Sequence, residues 1–463
     1  MSEALRTRVE TKLRAHEPDL VLGSLRPLGG GACQDLFLLE AGDERLVLRS
    51  DAAQALPGSL DRAREFVVAE AAAAAGVRTP QPRWLCTDLL REGAGAYVMP
   101  HAPGESLGGR VVRSPELAEA RAALPGQWAE QLAALARVEP SGALEGALGQ
   151  PPRDPARERV AELRAMVESL PNPRPALDLA LAWLEANLPA PPERVGLVHG
   201  DFRVGNFLVG PAGLEAVLDW EFAHWGDPAE DLAWLCVRDW RFGQDELAAG
   251  GVATREALLA ACQAAGVPAP EPARLAFWEV FGATRWAAGA RFQAERYRSG
   301  ERRDLELLAI GWRALELEFE ALRQIERGGE PLPRLGEPTA RPPRGAPPSP
   351  QELLLGVAGL LDDLRGGLDR AAGFRARIGA SLLQSLASES ARSESLEREE
   401  RALLAPLAGI DAAPHELERE LSRRAQEPLS EAVQREWRRG VLAQLALRIS
   451  LRNPRFDLRL DLP

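Results

Sequence analysis

The chain has 463 residues, 45% of them hydrophobic and 27% charged, and a formal net charge of −12. That length allows two to four domains with a large core, and the composition is that of a soluble globular protein. The acidic balance argues against a general nucleic-acid binder and against docking on an anionic membrane, and no apolar run approaches the ~20 residues that span a bilayer.

The charged N-terminus, MSEALRTRVETKLRAHEPDL, reads as a helix and lacks the apolar segment of a secretory signal. Four scattered cysteines, Cys33, Cys86, Cys236 and Cys262, form no C-x-x-C pair. They argue against a disulfide framework or structural zinc and fit a reducing, cytoplasmic setting. Lys12 is the single lysine. A G-x-x-x-x-G-K-[ST] phosphate loop and an interior Schiff-base lysine are therefore both excluded.

Residues 20–100 carry strand signals. Leu36-Phe-Leu-Leu39 and Arg45-Leu-Val-Leu-Arg49 are short apolar runs joined by Ala41-Gly42-Asp43-Glu44, which reads as a hairpin turn. A helix is expected near 60–75, a break at Thr79-Pro80-Gln81-Pro82, and a further strand at 95–100. Residues 105–325 read as mostly helical, except around 195–220. There, two short apolar strands flank a polar loop.

Eight prolines fall between Pro331 and Pro350. Proline fixes φ and lacks the N–H, so 327–349 reads as a linker. It ends in a helix start, with Ser349 as N-cap, Pro350 at the first helical position and Glu352 closing a capping box. Beyond it, Leu353, Leu354, Val357, Leu360, Leu361 and Leu364 keep the helical period. Further helices are expected near 370–407, 414–425 and 428–450. The domain boundaries drawn from these signals are 1–103, 104–326, the linker and a helical domain over 350–463.

The informative loop is Leu197-Val-His-Gly-Asp-Phe-Arg-Val-Gly-Asn-Phe-Leu-Val209, followed by Ala216-Val-Leu-Asp-Trp-Glu221. Strands on both sides would hold its polar groups rigidly. Asp201 and Asn206 lie five apart, and Asp219 ends the second strand. Phosphoryl transfer needs this inventory: one carboxylate to orient or deprotonate a hydroxyl, and an amide oxygen plus a second carboxylate as hard ligands for Mg²⁺.

His-Gly-Asp-x-x-x-x-Asn followed by Leu-Asp-Trp-Glu resembles the aminoglycoside phosphotransferase and choline kinase branch of the protein-kinase-like fold. The segment Gly226-Asp227-Pro228-Ala-Glu-Asp231-Leu-Ala resembles that family's GDPxxDLA. The similarity spans roughly residues 22–325. It implies an α+β, bilobal fold with a β-rich N-terminal lobe and a helical catalytic lobe, followed here by the all-helical domain. It also implies an ATP- and Mg²⁺-dependent phosphotransferase acting on a small-molecule hydroxyl. Asp201 would be the catalytic base, Asn206 and Asp219 would hold Mg²⁺, and His199 would brace the loop. Asp227 and Asp231 would tie the following helix back to it.

In the N-terminal lobe the same resemblance places Gly29, Gly30 and Gly31 in a nucleotide loop and Arg49 on the phosphates. Glu65, in competition with Glu70, would hold Arg49. Met99 falls in Ala96–Leu107, which resembles the interlobe hinge that meets adenine. Protein kinases use lysine where Arg49 stands. Arginine there resembles the kinase domain attached to some acyl-CoA dehydrogenases, which points to a hydroxyacyl-CoA kinase as the specific activity. Arg285, Trp286, Arg291 and Arg298 are candidates to face an anionic substrate. Trp220, Trp225, Trp234 and Trp240 read as packing residues.

Phe374-Arg-Ala-Arg-Ile-Gly-Ala and Arg452-Asn-Pro-Arg455 resemble an uncharacterised helical domain appended to such kinases. Through it the chain could self-associate or recruit a protein partner. A nucleotide-binding pseudokinase with a recruiting tail is the competing expectation.

Overall fold

The computed structural model of the chain describes residues 3–28, 35–51, 56–328, 331–335 and 349–460. Gly29, Gly30 and Gly31 lie outside the described residues. The chain divides into two compact units. The first comprises residues 1–158 and 189–279, the second residues 159–188 and 280–462.

The first unit opens with helix α1 (Glu3–Leu13) and strands β1 (Leu22–Pro27), β2 (Asp35–Ala41) and β3 (Glu44–Ser50). Helix α2 (Arg62–Ala74), β4 (Arg83–Thr87) and β5 (Gly95–Pro100) follow. The five strands form one antiparallel sheet in the order β1-β2-β3-β5-β4. The expected hairpin is β2–β3, turned through Gly42 at φ +58°.

Alternation on β3 separates the sheet's two faces. Leu46 and Leu48 join Val9 and Leu13 of α1 in one apolar cluster. Val47 joins Leu38, Tyr97 and Met99 in another. Arg49, two residues beyond Val47, therefore points to the same side as Met99.

Helices α3 (Gly108–Arg113), α4 (Ala118–Leu135), α5 (Gly142–Leu148), α6 (Pro155–Glu168) and α7 (Pro175–Ala186) come next. The loop-bearing segment then supplies β6 (Gly196–Val198), β7 (Phe207–Gly210), β8 (Gly213–Val217) and β9 (His224–Gly226). β6 pairs with β9, and β7 with β8. Helices α8 (Ala229–Leu235), α9 (Arg255–Ala264), α10 (Pro272–Arg298), α11 (Leu305–Trp312) and α12 (Ala314–Ile325) complete the middle of the chain. The tail is α13 (Pro350–Arg365), α14 (Arg370–Ser390), α15 (Ser393–Ala408), α16 (Pro414–Ala425) and α17 (Glu431–Arg452).

The capping box forms as expected: Ser349 Oγ accepts from the Glu352 N–H, and the Glu352 carboxylate accepts from the Ser349 N–H. The helical stretch expected near 370–407 consists of two helices, α14 and α15, separated at Ala391-Arg392.

The compact units do not follow the domain boundaries expected at 103, 326 and 349. Leu179 and Ala180 of α7 and Phe319 and Leu322 of α12 are buried in one cluster with Leu417, Leu421, Leu442 and Leu445 of the tail. Leu332, early in the proline-rich segment, packs on that cluster. The proline run interrupts regular structure, yet the helices before and after it bury their apolar faces on each other. A chain truncated after residue 330 is therefore expected to expose this core and to aggregate or lose a cooperative melt. A soluble 1–330 fragment melting cooperatively near the full-length temperature would contradict that packing.

Candidate active site

The loop between β6 and β7 is built around His199 and Gly200. Gly200 sits at φ +76°, and a Cβ there would stand 2.2 Å from the Phe222 carbonyl oxygen, so only glycine fits. The Asp231 carboxylate, from the first turn of α8, accepts the His199 N–H at 2.7 Å and the Gly200 N–H at 3.0 Å. Asp231 thus ties the helix to the loop. Asp227 does not share that role: its carboxylate accepts from Ala229 N, Trp278 Nε1 and Arg274 Nη1.

His199 is fully buried. Its Nδ1 accepts the Asp201 N–H at 3.2 Å, and its Nε2 lies 3.0 Å from the Leu218 carbonyl oxygen. These partners require the neutral tautomer protonated on Nε2. Burial is the main cause that lowers its pKa to about 4.

Asp201 is held from three sides. Trp234 Nε1 donates to Oδ1 at 2.7 Å, Arg203 Nε donates to Oδ1 at 2.8 Å, and Asn206 Nδ2 donates to Oδ2 at 2.6 Å. The Arg203 guanidinium lies over the Trp240 ring, 4.2 Å from its centroid. Asn206 spends its amide nitrogen on Asp201, so its oxygen is the atom suited to a metal. The Asn206 backbone carbonyl accepts the Leu218 N–H at 2.8 Å, which sets Asn206 beside the chain leading to Asp219.

Asp219 has left-handed backbone angles, φ +74° and ψ +67°. Aspartate is among the non-glycine residues that enter this region most readily, and Trp84, Asp88 and Phe242 also have positive φ. Arg49 Nη2 donates to Asp219 Oδ1 and to Glu65 Oε1, each at 2.8 Å. Glu70 is exposed, so Glu65 is the carboxylate that meets Arg49. Burial opposes the Arg49 charge, but Glu65, followed by Tyr97 and Asp219, holds its pKa well above the ordinary guanidinium value.

Three residues escaped the sequence reading. Arg62 bridges Glu65 and Glu221, the latter at 3.0 Å. Glu221 is pushed up to about 7 by burial and then by Asp219, against the pull of Arg62. Trp234 reads as packing in the sequence and is buried, but its indole N–H reaches Asp201. The missed signal was spacing: Arg62 is three residues before Glu65, and Trp234 three after Asp231, each on the same helix face.

Arg291 is paired with Glu318 and the Pro173 carbonyl, and Arg298 with Glu295. Arg291 is thereby tied into the packed interior, whereas Arg298 is an exposed arginine in a surface pair. Among the described residues no three His, Cys, Asp or Glu side chains are grouped to hold a metal. Asn206 and Asp219 are oxygen-bearing side chains of the kind that could meet a divalent ion.

The His199 environment sets a pH dependence. An unfolded histidine titrates near 6.5, and the folded one near 4. Between those values the unfolded chain binds more protons, so stability falls as pH drops through the window. The loss is on the order of 3 kcal/mol when complete. His199→Gln, which cannot protonate, should show a shallower fall in melting temperature from pH 7 to pH 4 than the wild type. Parallel curves would contradict the buried neutral histidine.

The model of the phosphotransferase enzyme family matches residues 24–278. Acyl-CoA dehydrogenase family member 11 of Gallus gallus is 32% identical over 215 residues, covering 46% of this chain and 27% of that protein. Viomycin phosphotransferase of Streptomyces vinaceus is 33% identical over 195 residues, covering 39% of this chain and 62% of that protein. The chain thus spans about a quarter of the length of the dehydrogenase relatives it matches. A candidate aminoglycoside phosphotransferase of Ralstonia eutropha superposes with a TM-score of 0.53 at 24% identity, covering 69% of this chain and 98% of that one. The likeness shows the fold, an α+β kinase-like architecture with a five-stranded N-terminal sheet. With more than half of its residues inside the match, the chain belongs to the phosphotransferase enzyme family.

Proposed function

We propose that this phosphotransferase is an ATP- and Mg²⁺-dependent kinase acting on a hydroxyl of a small molecule. One observation carries the reading. Asp201 is fixed by Trp234, Arg203 and Asn206 on a strand-bracketed loop, while Asp219 and Arg49 meet across the neighbouring strands.

The sheet face around Arg49 suits a nucleotide. Leu38, Val47 and Met99 form an apolar surface for a base, and Arg49 lies one step further along β3 for phosphate. In the sequence, the proposed glycine loop, Gly29 to Gly31, falls between β1 and β2. Asn206 and Asp219 offer oxygen donors of the type Mg²⁺ prefers. When bound, that ion would supply neutralisation of phosphate charge.

Asp201 orients the acceptor hydroxyl and takes up its proton as phosphate is transferred. Arg49 holds phosphate oxygens, and Glu65 keeps Arg49 in place. His199 and Asp231 keep the loop in register. A pseudokinase scaffold has no need of Asp201, Asn206 and Asp219 together, which weighs against that alternative.

For the acceptor, we propose a hydroxyacyl thioester such as a hydroxyacyl-CoA. Support comes from the relatives, which are named acyl-CoA dehydrogenases and share this part of their length. ADP release measured over a panel of hydroxyacyl-CoAs, with a metabolite extract as the unbiased arm, tests the class. Turnover confined to acceptors without a thioester would overturn the acceptor proposal but leave the kinase reading.

Two substitutions separate the roles. Asp201→Ala should lower turnover by ~10²–10⁴ while nucleotide affinity stays within a few fold. Wild-type turnover in that variant would sink the assignment. Asp219→Asn should weaken Mg-nucleotide binding as well as turnover, because a neutral amide offers less charge to a hard cation. Titration of Mg²⁺ against a fluorescent nucleotide reads this directly, and an unchanged metal dependence would count against Asp219 as a ligand.

A further inference from the structure

Two segments of the tail stand out in the sequence, 374–380 in α14 and 452–455 from the end of α17, and the proposed phosphotransfer uses neither. They are distant in the chain, yet Arg377 and Ile378 of the first meet Arg452 and Asn453 of the second around one cavity of about 390 Å³. That volume is at the lower end of the range for small-molecule sites. Helices α11, α12, α14 and α17 frame it. Every lining residue belongs to the second compact unit, whereas Arg49, Asp201 and Asp219 belong to the first.

The lining is graded. Ile449 is fully buried and Leu315, Ile378 and Leu382 are half-buried, whereas Arg313, Arg377 and Ser381 are exposed. Aliphatic groups thus form the floor and polar groups the mouth. The charges at the mouth can be followed one by one. Arg452 Nε and Nη2 each donate to the Glu389 carboxylate at 3.0 Å, and the guanidinium lies 3.7 Å from the centroid of the Trp312 ring. Arg313 Nε donates to Glu316 Oε2 at 3.3 Å, and Asn453 Nδ2 donates to Glu316 Oε1 at 3.0 Å. Both arginines also stand at the C-terminal ends of helices, α17 and α11, where a cation is favoured without any ligand. Arg377 is different. It sits in the interior of α14, makes no ion pair among the described residues, and has the exposed Phe374 ring 5.3 Å from its guanidinium. With the other two arginines compensated, the cavity keeps one positive charge above an aliphatic floor.

We propose that this cavity binds a small amphipathic monocarboxylate, with the carboxylate on Arg377 and the hydrocarbon part on Leu315, Ile378, Leu382 and Ile449. A guanidinium fork matches a carboxylate in both shape and charge. A single uncompensated cation suits one negative charge better than the nearly two of a phosphate monoester. Ser381 lies four residues after Arg377, on the same side of α14, and its hydroxyl has no hydrogen-bond partner among the described residues. It is therefore available as a second donor. Arg452 offers a third through Nη1, which the Glu389 pair leaves unused. The site goes beyond the kinase reading and does not depend on it.

Calorimetric titration of the full chain with octanoate tests the proposal. Octanoate should bind at one site per chain with a Kd on the order of 0.1–1 mM, the strength expected of so small a ligand. Acetate lacks the chain and octanol lacks the charge, so each should bind roughly tenfold or more weakly. Arg377→Ala should weaken octanoate binding roughly tenfold, the worth of one charge-assisted contact. Arg375→Ala, also exposed on α14 but outside the lining, should leave the constant unchanged. Both positions are exposed, so both variants should keep the wild-type melting temperature. No saturable binding up to about 10 mM octanoate would overturn the proposal. Binding that survives Arg377→Ala unchanged would place the ligand elsewhere and overturn it too. Tighter binding of octyl phosphate than of octanoate would overturn the assignment to a monocarboxylate.

Discussion

Arg49 brings a positive charge into an almost fully buried position, and the geometry around it follows from the need to keep that charge compensated. An isolated buried ion would cost several kcal/mol. Glu65 approaches from α2 and Asp219 from the end of the β7–β8 hairpin, both within hydrogen-bonding distance of one guanidinium nitrogen. Glu65 is itself shared with Arg62, which reaches on to Glu221. Sheet, helix and loop segment are thus joined by one alternating chain of charges. Its acidic excess, Glu65, Asp219 and Glu221 against two arginines, is expressed in the raised titration of Glu221. An arginine suits this position better than a lysine would. Its planar fork can meet two carboxylates and still present further N–H donors, whereas an ammonium is a compact point charge.

The two acidic groups central to the proposed chemistry are held in different ways. Asp201 accepts three hydrogen bonds from its own neighbourhood, so both carboxylate oxygens have set directions before any ligand arrives. Asp219 is more exposed and is directed by Arg49, a group that in the proposed reading also binds phosphate. Phosphate arriving at Arg49 would compete with Asp219 for the guanidinium and release carboxylate charge toward a divalent cation. In the proposed reading, the rigidly held carboxylate is the one that would aim a hydroxyl, and the exchangeable pair is the one that would redistribute charge.

The hairpin, the two-strand frame of the loop and the Ser349 capping box were legible in the sequence, because each depends on residues a few positions apart. Asp201, Asn206 and Asp219 stood out because their spacing is local and their residue types are chemically narrow. Trp234 was not legible as a partner of Asp201, since indole burial looks the same in sequence whether or not the N–H has a functional acceptor. Arg62 and Glu221 are 159 positions apart, and only the folded chain shows the bridge. The separation of the tail failed for a related reason. Proline marks where regular structure stops, but it carries no information about which apolar faces meet afterwards.

That last distinction explains why one protein can contain both a tail that is bound in and a helix that is not. The apolar faces of α15, α16 and α17 are met by α7 and α12 and disappear into a common core. Among the described residues α14 is the main packing partner of α13, and Leu353, Val357, Leu360 and Leu364 stay exposed. Period alone does not distinguish these cases, because Leu354 and Leu353 belong to equally regular helical patterns. The difference lies in how many neighbours each helix has. A helix packed mainly by one neighbour keeps its leucines exposed on a second side.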